Sequence, residues 1–178
     1  MNEIQVNEAY AEWIDEQHYD LFITLNTERE LTDTISKEGV VLVTAKEKMS
    51  SKVAELFGRA ETYAFGKTEN GISRRRLYRS NPNFHIHRFV SIEGIGKRTH
   101  THLLVKTLEG WTDGQMIELL DLVWCEMNKA QTHKAFLFKA ETIRSKQAVS
   151  RYITKETHWH NKQLEDSVCL RSSFVSKP

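Results

Sequence analysis

The sequence is short of several things. It has only two cysteines in 178 residues, Cys125 and Cys169, far apart in the chain. They fit no zinc-ligand spacing and no disulfide framework, so they read as reduced thiols. No apolar run approaches the length of a membrane span. The first thirty residues are acidic and lack a continuous apolar stretch, so no signal peptide is visible and the expected compartment is the cytoplasm. There is no internal repeat, no linker and no excess of charge. The formal net charge of +1 does not by itself announce a nucleic-acid partner.

What is present is a globular composition, 39% hydrophobic and 28% charged, in a chain long enough for one domain with a real core. The reading is a single domain over residues 1–178, with its core at about 20–157 and a loose tail at about 172–178. The charges are unevenly placed. Up to Glu30 the acids are Glu3, Glu8, Glu12, Asp15, Glu16, Asp20, Glu28 and Glu30, against Arg29 alone. From Arg74 to Lys106 the bases are Arg74, Arg75, Arg76, Arg79, Arg88, Lys97, Arg98 and Lys106, against Glu93 alone. A basic middle suits a phosphate-bearing partner, although charge runs more often form a solvated surface.

The stretch from Phe84 to Thr107 organises the rest. Two apolar-rich runs, Phe84–Glu93 and Thr99–Lys106, flank a basic turn with two glycines, a hairpin signal. With Glu93 opposite His100, Ser91 faces His102 and Phe89 faces Leu104. Alternation then puts Glu93, His100, His102 and His87 on one face, and Ile86, Val90, Ile92, Leu103 and Val105 on the other. Two imidazoles and a carboxylate within cross-strand reach form a metal-ligand set with open positions, suited to zinc, iron, manganese or cobalt. Two further His-x-His pairs are weaker. His85/His87 would face Lys106 and Leu108, and His158/His160 follow a helix and flank Trp159.

Around the hairpin, Asp20–Asn26 reads as a strand, with Leu21, Ile23 and Leu25 facing one way. Thr27-x-x-Glu30 is a capping-box pattern and predicts a helix start. Gly39 and the Val40–Val43 run leave the next stretch unassigned. Met49, Val53, Leu56, Phe57 and Ala60 fit a helix within Thr44–Phe65, stopped by Gly66. Lys67–Asn83 reads as a polar loop. Thr112 and Gln115 cap a second helix running to about Asn128. Lys134–Thr142 reads as a strand and Ser145–Thr157 as a short helix. The order β-α-β-β-α-β plus a helix predicts an α+β fold: an antiparallel sheet of four to five strands, helices packed on one face, ferredoxin-like, with the polar face open.

Tyr152 and Lys155, at i and i+3, share a face of the last predicted helix. A phenol can attack a phosphodiester when a neighbouring cation and a metal assist it. Taken alone, this pair reads more simply as a half-buried tyrosine beside a solvated lysine. Phe65-Gly66-Lys67-Thr68 is no phosphate-binding loop, because Glu61 stands where that motif needs glycine.

Together the motifs resemble the HUH endonucleases, single-strand DNA nickases that include rolling-circle replication initiators, relaxases and one class of transposases. FITLN (Phe22–Asn26) is similar to the family's first motif, EGIGKRTHTHLLV (Glu93–Val105) to the second, and Tyr152-Ile153-Thr154-Lys155 to the third. The resemblance spans about Asp20 to Lys155. It implies Mn²⁺ or Mg²⁺ on His100, His102 and Glu93. It implies nucleophilic attack by Tyr152, assisted by Lys155, leaving a 5′-phosphotyrosine. It implies single-stranded origin DNA, possibly a hairpin, as partner, and a plasmid- or virus-encoded protein in a bacterial or archaeal cell. No ATPase motif follows, so any helicase is a separate protein. Arg74, Arg75, Arg76, Arg79, His87 and Arg98 are the expected DNA contacts. Within the same chemistry, a single-tyrosine transposase or a small relaxase is the alternative. From other classes come a metal-dependent hydrolase that makes no use of Tyr152 and a non-catalytic RNA-recognition-type module. The aromatic run expected of that module's third strand is replaced here by THTHLLVK.

Overall fold

The computed structural model describes residues 11–94, 99–129 and 136–144, together with Cys169 and Ser173. Its main sheet has four antiparallel strands: β1 (Leu21–Asn26), β4 (Arg88–Glu93), β5 (His100–Val105) and β6 (Phe138–Thr142), in the spatial order β4-β5-β1-β6. Two long helices, α1 (Ala45–Phe65) and α3 (Asp113–Met127), pack on one face. A small hairpin, β2 (Thr34–Ile35) with β3 (Val41–Val43), precedes α1, and a four-residue helix, α2 (Arg74–Leu77), follows it. Among the described residues no helix is long and apolar enough to cross a membrane.

The alternation in β1 decides the layering. Leu21, Ile23 and Leu25 are fully buried and meet Val90, Ile92, Leu103 and Val105 from the hairpin strands. From the helices come Met49, Val53, Leu56 and Phe57 on α1, and Met116, Leu120, Val123 and Trp124 on α3. These are the apolar positions at helical spacing, and their burial is the dominant favourable term in folding. Trp124 keeps its polar atom satisfied: Nε1–H donates to the carbonyls of Asn26 (2.9 Å) and Leu137 (3.1 Å). Cys125 and Cys169 are free thiols, and Cys169 Sγ lies 3.1 Å from Ser50 Oγ in the interior.

Several local expectations are corrected. No helix begins at Thr27: the Thr27 hydroxyl donates to the Arg29 carbonyl, 2.6 Å away, and the chain stays irregular until β2. The helix starts at Ala45, where Thr44 and Glu47 make the reciprocal capping box. The unassigned stretch from Gly39 to Val43 enters the β2–β3 hairpin, and Ile35 with Val40 to Val43 is exposed. The Lys67–Asn83 loop contains α2 and a 3₁₀ turn at Pro82–Phe84. The last strand begins at Phe138 rather than Lys134. The predicted Ser145–Thr157 helix lies outside the described residues. Ser173, in the stretch expected to be loose, has its hydroxyl accepting from Val90 N–H at 3.0 Å.

The second face of the sheet is not wholly open. Residues 11–16 are helical and lie across it. Ile14 and Tyr19 pack on Phe89 and Leu104, with Trp13 edge-on to Phe89 at 6.2 Å between centroids. The reason is visible in the hairpin itself: Phe89 and Leu104 are apolar positions on the otherwise polar face, and they need a cover.

Candidate metal centre

The β4–β5 hairpin has the register read from the sequence: Glu93↔His100, Ser91↔His102 and Phe89↔Leu104. Gly94 opens the turn with φ of 73°, a left-handed conformation that glycine adopts without steric cost. On the other side of β5, β1 brings Thr24 opposite His102 and Asn26 opposite His100. The candidate ligands are therefore held by a strand at the centre of the sheet and its neighbour, not by a loop.

Glu93 Oε2 lies 3.5 Å from His102 Nε2 and 3.6 Å from His100 Nε2. One donor atom from each of the three residues falls within 4.8 Å of the others. Two donors held ~2.1 Å from a shared ion stand ~3.0–3.4 Å apart, so the carboxylate already stands close to ligating distance from each imidazole, and small side-chain rotations that draw the three donors together would seat an ion. Glu93 is 1% and His102 4% exposed at the side chain, whereas His100 is 29% exposed and forms the rim. The group is thus buried on two sides and accessible on the third.

Neighbours fix the imidazoles. Thr24 Oγ1 is 3.0 Å from His102 Nδ1. When an ion displaces the Nε2 proton, Nδ1–H donating to that hydroxyl leaves the Nε2 lone pair free to ligate, the tautomer that a ligand requires. Phe22 stacks on the His102 ring, with centroids 5.2 Å apart and planes at 20°. His100 meets His102 edge-on at 5.0 Å. Burial pushes the Glu93 carboxyl upward, but hydrogen bonds from His100 and His102, and their charge, outweigh it and hold the group at about 2. The carboxylate is therefore ionised and ready to ligate. A carboxylate and two oriented imidazoles, open on one side, can bind a divalent ion and leave it positions for substrate.

The other residues singled out in the sequence are spread around this centre. Tyr152, Lys155 and Arg98 lie outside the described residues. His87 stands six positions before Glu93, at the opposite end of the hairpin, where its carbonyl accepts from Lys106 N–H at 3.0 Å. Burial, then the charges of Lys106 and Arg88, push its imidazole below the ordinary value and favour its neutral form. His85, the alternative partner of His87, has Nε2 2.9 Å from the Arg79 carbonyl. Arg74, Arg76 and Arg79 are exposed. Arg75 turns inward to Glu61.

Glu61 is the feature that sequence reasoning missed. Its side chain is completely buried in α1 and is ion-paired with Arg75 and with Arg88 Nη1 (2.8 Å). It also accepts from Ile86 N–H (3.0 Å) and lies 3.4 Å from His85 Nδ1. Arg88 stacks over the Phe57 ring, 4.2 Å from its centroid. The signals were available. Glu61 lies four residues after Phe57 in the apolar stripe of α1, and alternation points Arg88 inward between Ile86 and Val90.

Comparison of the chain with family models, with curated proteins and with solved structures gave no match.

Proposed function

We propose that this chain is a metal-dependent endonuclease of single-stranded DNA, of the HUH type, that nicks an origin and initiates rolling-circle replication. The observation that carries the reading is the convergence of Glu93, His100 and His102 at the end of a hairpin whose ligand strand is central in the sheet. Strand order β4-β5-β1-β6 with two helices on one face also agrees with the ferredoxin-like arrangement that the resemblance implies.

In this reading Glu93, His100 and His102 hold Mn²⁺ or Mg²⁺. The ion supplies Lewis-acid polarisation of the scissile phosphate. Thr24 keeps His102 in the ligating tautomer, and Phe22 limits its rotation. The Tyr152 phenolate oxygen bonds to phosphorus, the P–O3′ bond breaks, and the departing oxygen takes up a proton to become a 3′-OH. The phenol proton leaves to solvent, so the step balances. Lys155 offsets charge on the phosphate, and Arg98 in the turn after Glu93 contacts the backbone. Because the phosphotyrosine conserves the bond energy, a later 3′-OH can reverse the step and rejoin the strand. Strand separation falls to a separate helicase.

The test incubates a pool of single-stranded DNA and Mn²⁺ with wild type, Tyr152→Phe and His102→Ala. A denaturation-resistant protein–DNA adduct is expected with wild type alone. Equal cleavage by Tyr152→Phe removes the tyrosine and leaves a hydrolase built on the three ligands. Absence of cleavage from every protein overturns the reading.

A further inference from the structure

We infer that residues 67–88 form a second nucleic-acid contact, a preorganised arginine lobe that grips the backbone of a single strand at the end of β4 remote from the metal centre. The inference rests on the reading of the substrate as single-stranded DNA and adds where the strand is anchored.

The lobe carries Lys67, Arg74, Arg76 and Arg79 at its surface. Among the described residues no carboxylate pairs with Arg74, Arg76 or Arg79, and α2 carries two of these charges two positions apart, on diverging sides of its single turn. Like charges spread over one short lobe raise the local potential, and a phosphate chain running past them can meet one guanidinium after another. A short basic segment is ordinarily loose, but this one is pinned at many points. Arg75 reaches back to the buried Glu61. The Ser73 and Thr62 hydroxyls are 3.1 Å apart, and Arg74 N–H donates to the Gly66 carbonyl at 3.2 Å. His85 Nε2 meets the Arg79 carbonyl. Gly58 leaves room for the Arg75 guanidinium, which lies 3.3 Å from where a Cβ would stand. Arg75 is thus a positioning residue that holds its neighbours outward, and less ordering entropy is lost when a ligand binds.

The aromatic side chains select the partner. Tyr78 is 44% exposed, and one face of its ring stacks on Phe84, with centroids 4.7 Å apart and planes at 21°. Phe84 is in turn braced edge-on by Phe65 at 5.8 Å. A rigid, half-exposed aromatic ring among unpaired arginines suits a chain with both phosphates and unstacked bases. An acidic peptide would satisfy the charges but not the ring, and a duplex keeps its bases stacked.

The lobe joins the sheet at Ile86 and Arg88, while the metal centre lies at Glu93. A strand of this length spans ~17 Å, about five nucleotides at the ~3.4 Å rise of a stacked strand and fewer where the bases unstack and the chain extends, so one short single strand can touch both.

The test measures fluorescence anisotropy of a labelled single-stranded oligonucleotide with the whole chain in a chelator, so that binding is read without cleavage. The Arg74→Ala/Arg76→Ala/Arg79→Ala variant should bind ~100-fold more weakly at ~0.1 M salt, with the salt slope reduced by about 2. Tyr78→Ala should weaken binding of the single strand, leave the slope unchanged and leave duplex binding unaffected. Unchanged affinity and slope in the triple variant, or polyglutamate binding as tight as the oligonucleotide, overturns the lobe. If the lobe fails while nicking persists, only this inference is lost. If nicking is absent while the arginine dependence holds, the endonuclease reading is lost instead.

Discussion

Among the described residues two buried carboxylates, Glu61 and Glu93, are ringed by nitrogen donors, and they do opposite things. Glu61 is 0% and Glu93 1% exposed. Glu93 faces nitrogens of His100 and His102, Glu61 those of Arg75, His85, Ile86 and Arg88, and each carboxylate is tied to β4, one near its start and one at its end. Glu61 is held by two guanidinium groups, which are permanently charged and have no lone pair to offer, and the one imidazole near it, His85, stands beside them rather than across from a second imidazole. Its charge is fully answered by protein, and it acts as a strut joining α1, α2 and β4. Glu93 faces imidazoles, whose nitrogens can give a lone pair to an ion once the proton is elsewhere. Burial of a carboxylate therefore does not mark a metal site. The chemistry of its partners does.

Removing each carboxylate should separate the two roles. Glu61→Ala strands two arginines in a buried setting, a change that typically costs about 3–5 kcal/mol. Chemical denaturation should show that loss with or without metal. Glu93→Ala should still fold, because imidazoles can lose a proton and stay neutral, but it should not respond to Mn²⁺. A Glu61→Ala protein as stable as wild type would break the contrast.

The metal response comes next in size. In wild type, Mn²⁺ at one hundred times its dissociation constant should raise unfolding stability by about 2.7 kcal/mol. His102→Ala should abolish the shift. Thr24→Val removes the hydroxyl that orients His102 and keeps its shape, so the metal affinity should fall about 10–100-fold with the fold intact. Calorimetric titration reads both, and an unaltered affinity in Thr24→Val would mean that the hydroxyl does not set the ring.

The smallest effect concerns the imidazoles at the two ends of the hairpin. His100 and His102 lie against a carboxylate, whereas His87 lies near Lys106 and Arg88. Burial and those charges lower its pKa from the ordinary 6.5. The unfolded chain therefore takes up the proton first, so the stabilisation is complete above about pH 6.5 and declines as the pH falls through the lower folded value. Replacing His87 by Asn should flatten the stability profile of the metal-free protein on the acid side of about pH 6.5. A profile identical to wild type would show that the site is too well solvated to matter.

The legible and illegible parts divide along the same physical line. The hairpin register was readable because a period of two leaves few ways to bury Val90, Ile92, Leu103 and Val105 together, and the ligand pairing follows from that register. The two long helices were readable from apolar spacing, and the second also from the cap at Thr112, whereas the capping box that starts the first, Thr44 with Glu47, was passed over for Thr27. Thr27-x-x-Glu30 misled because a capping box is a local pattern, and Thr27 spends its hydroxyl on the Arg29 carbonyl instead. That Glu61 and Arg88 point inward was readable from helix and strand periodicity, but their pairing was not, because Arg75 and Arg88 lie 14 and 27 positions from Glu61, beyond any local rule. The cover over Phe89 and Leu104 comes from residues 13–19, where Trp13 and Tyr19 read as possible anchors in an acidic stretch but no local pattern says what they anchor to.

One consequence follows from the way Cys169 and Ser173 meet β4. Val90 has its carbonyl taken by Cys169 N–H at 2.9 Å and its own N–H by the Ser173 hydroxyl. At the other border of the sheet, β6 presents the charged pair Lys139 and Glu141. A foreign strand thus finds one margin plugged at its middle and the other studded with charge, the usual defences against lateral growth into aggregates. The four-stranded sheet is therefore ill suited to growing by pairing its own borders with those of a second copy.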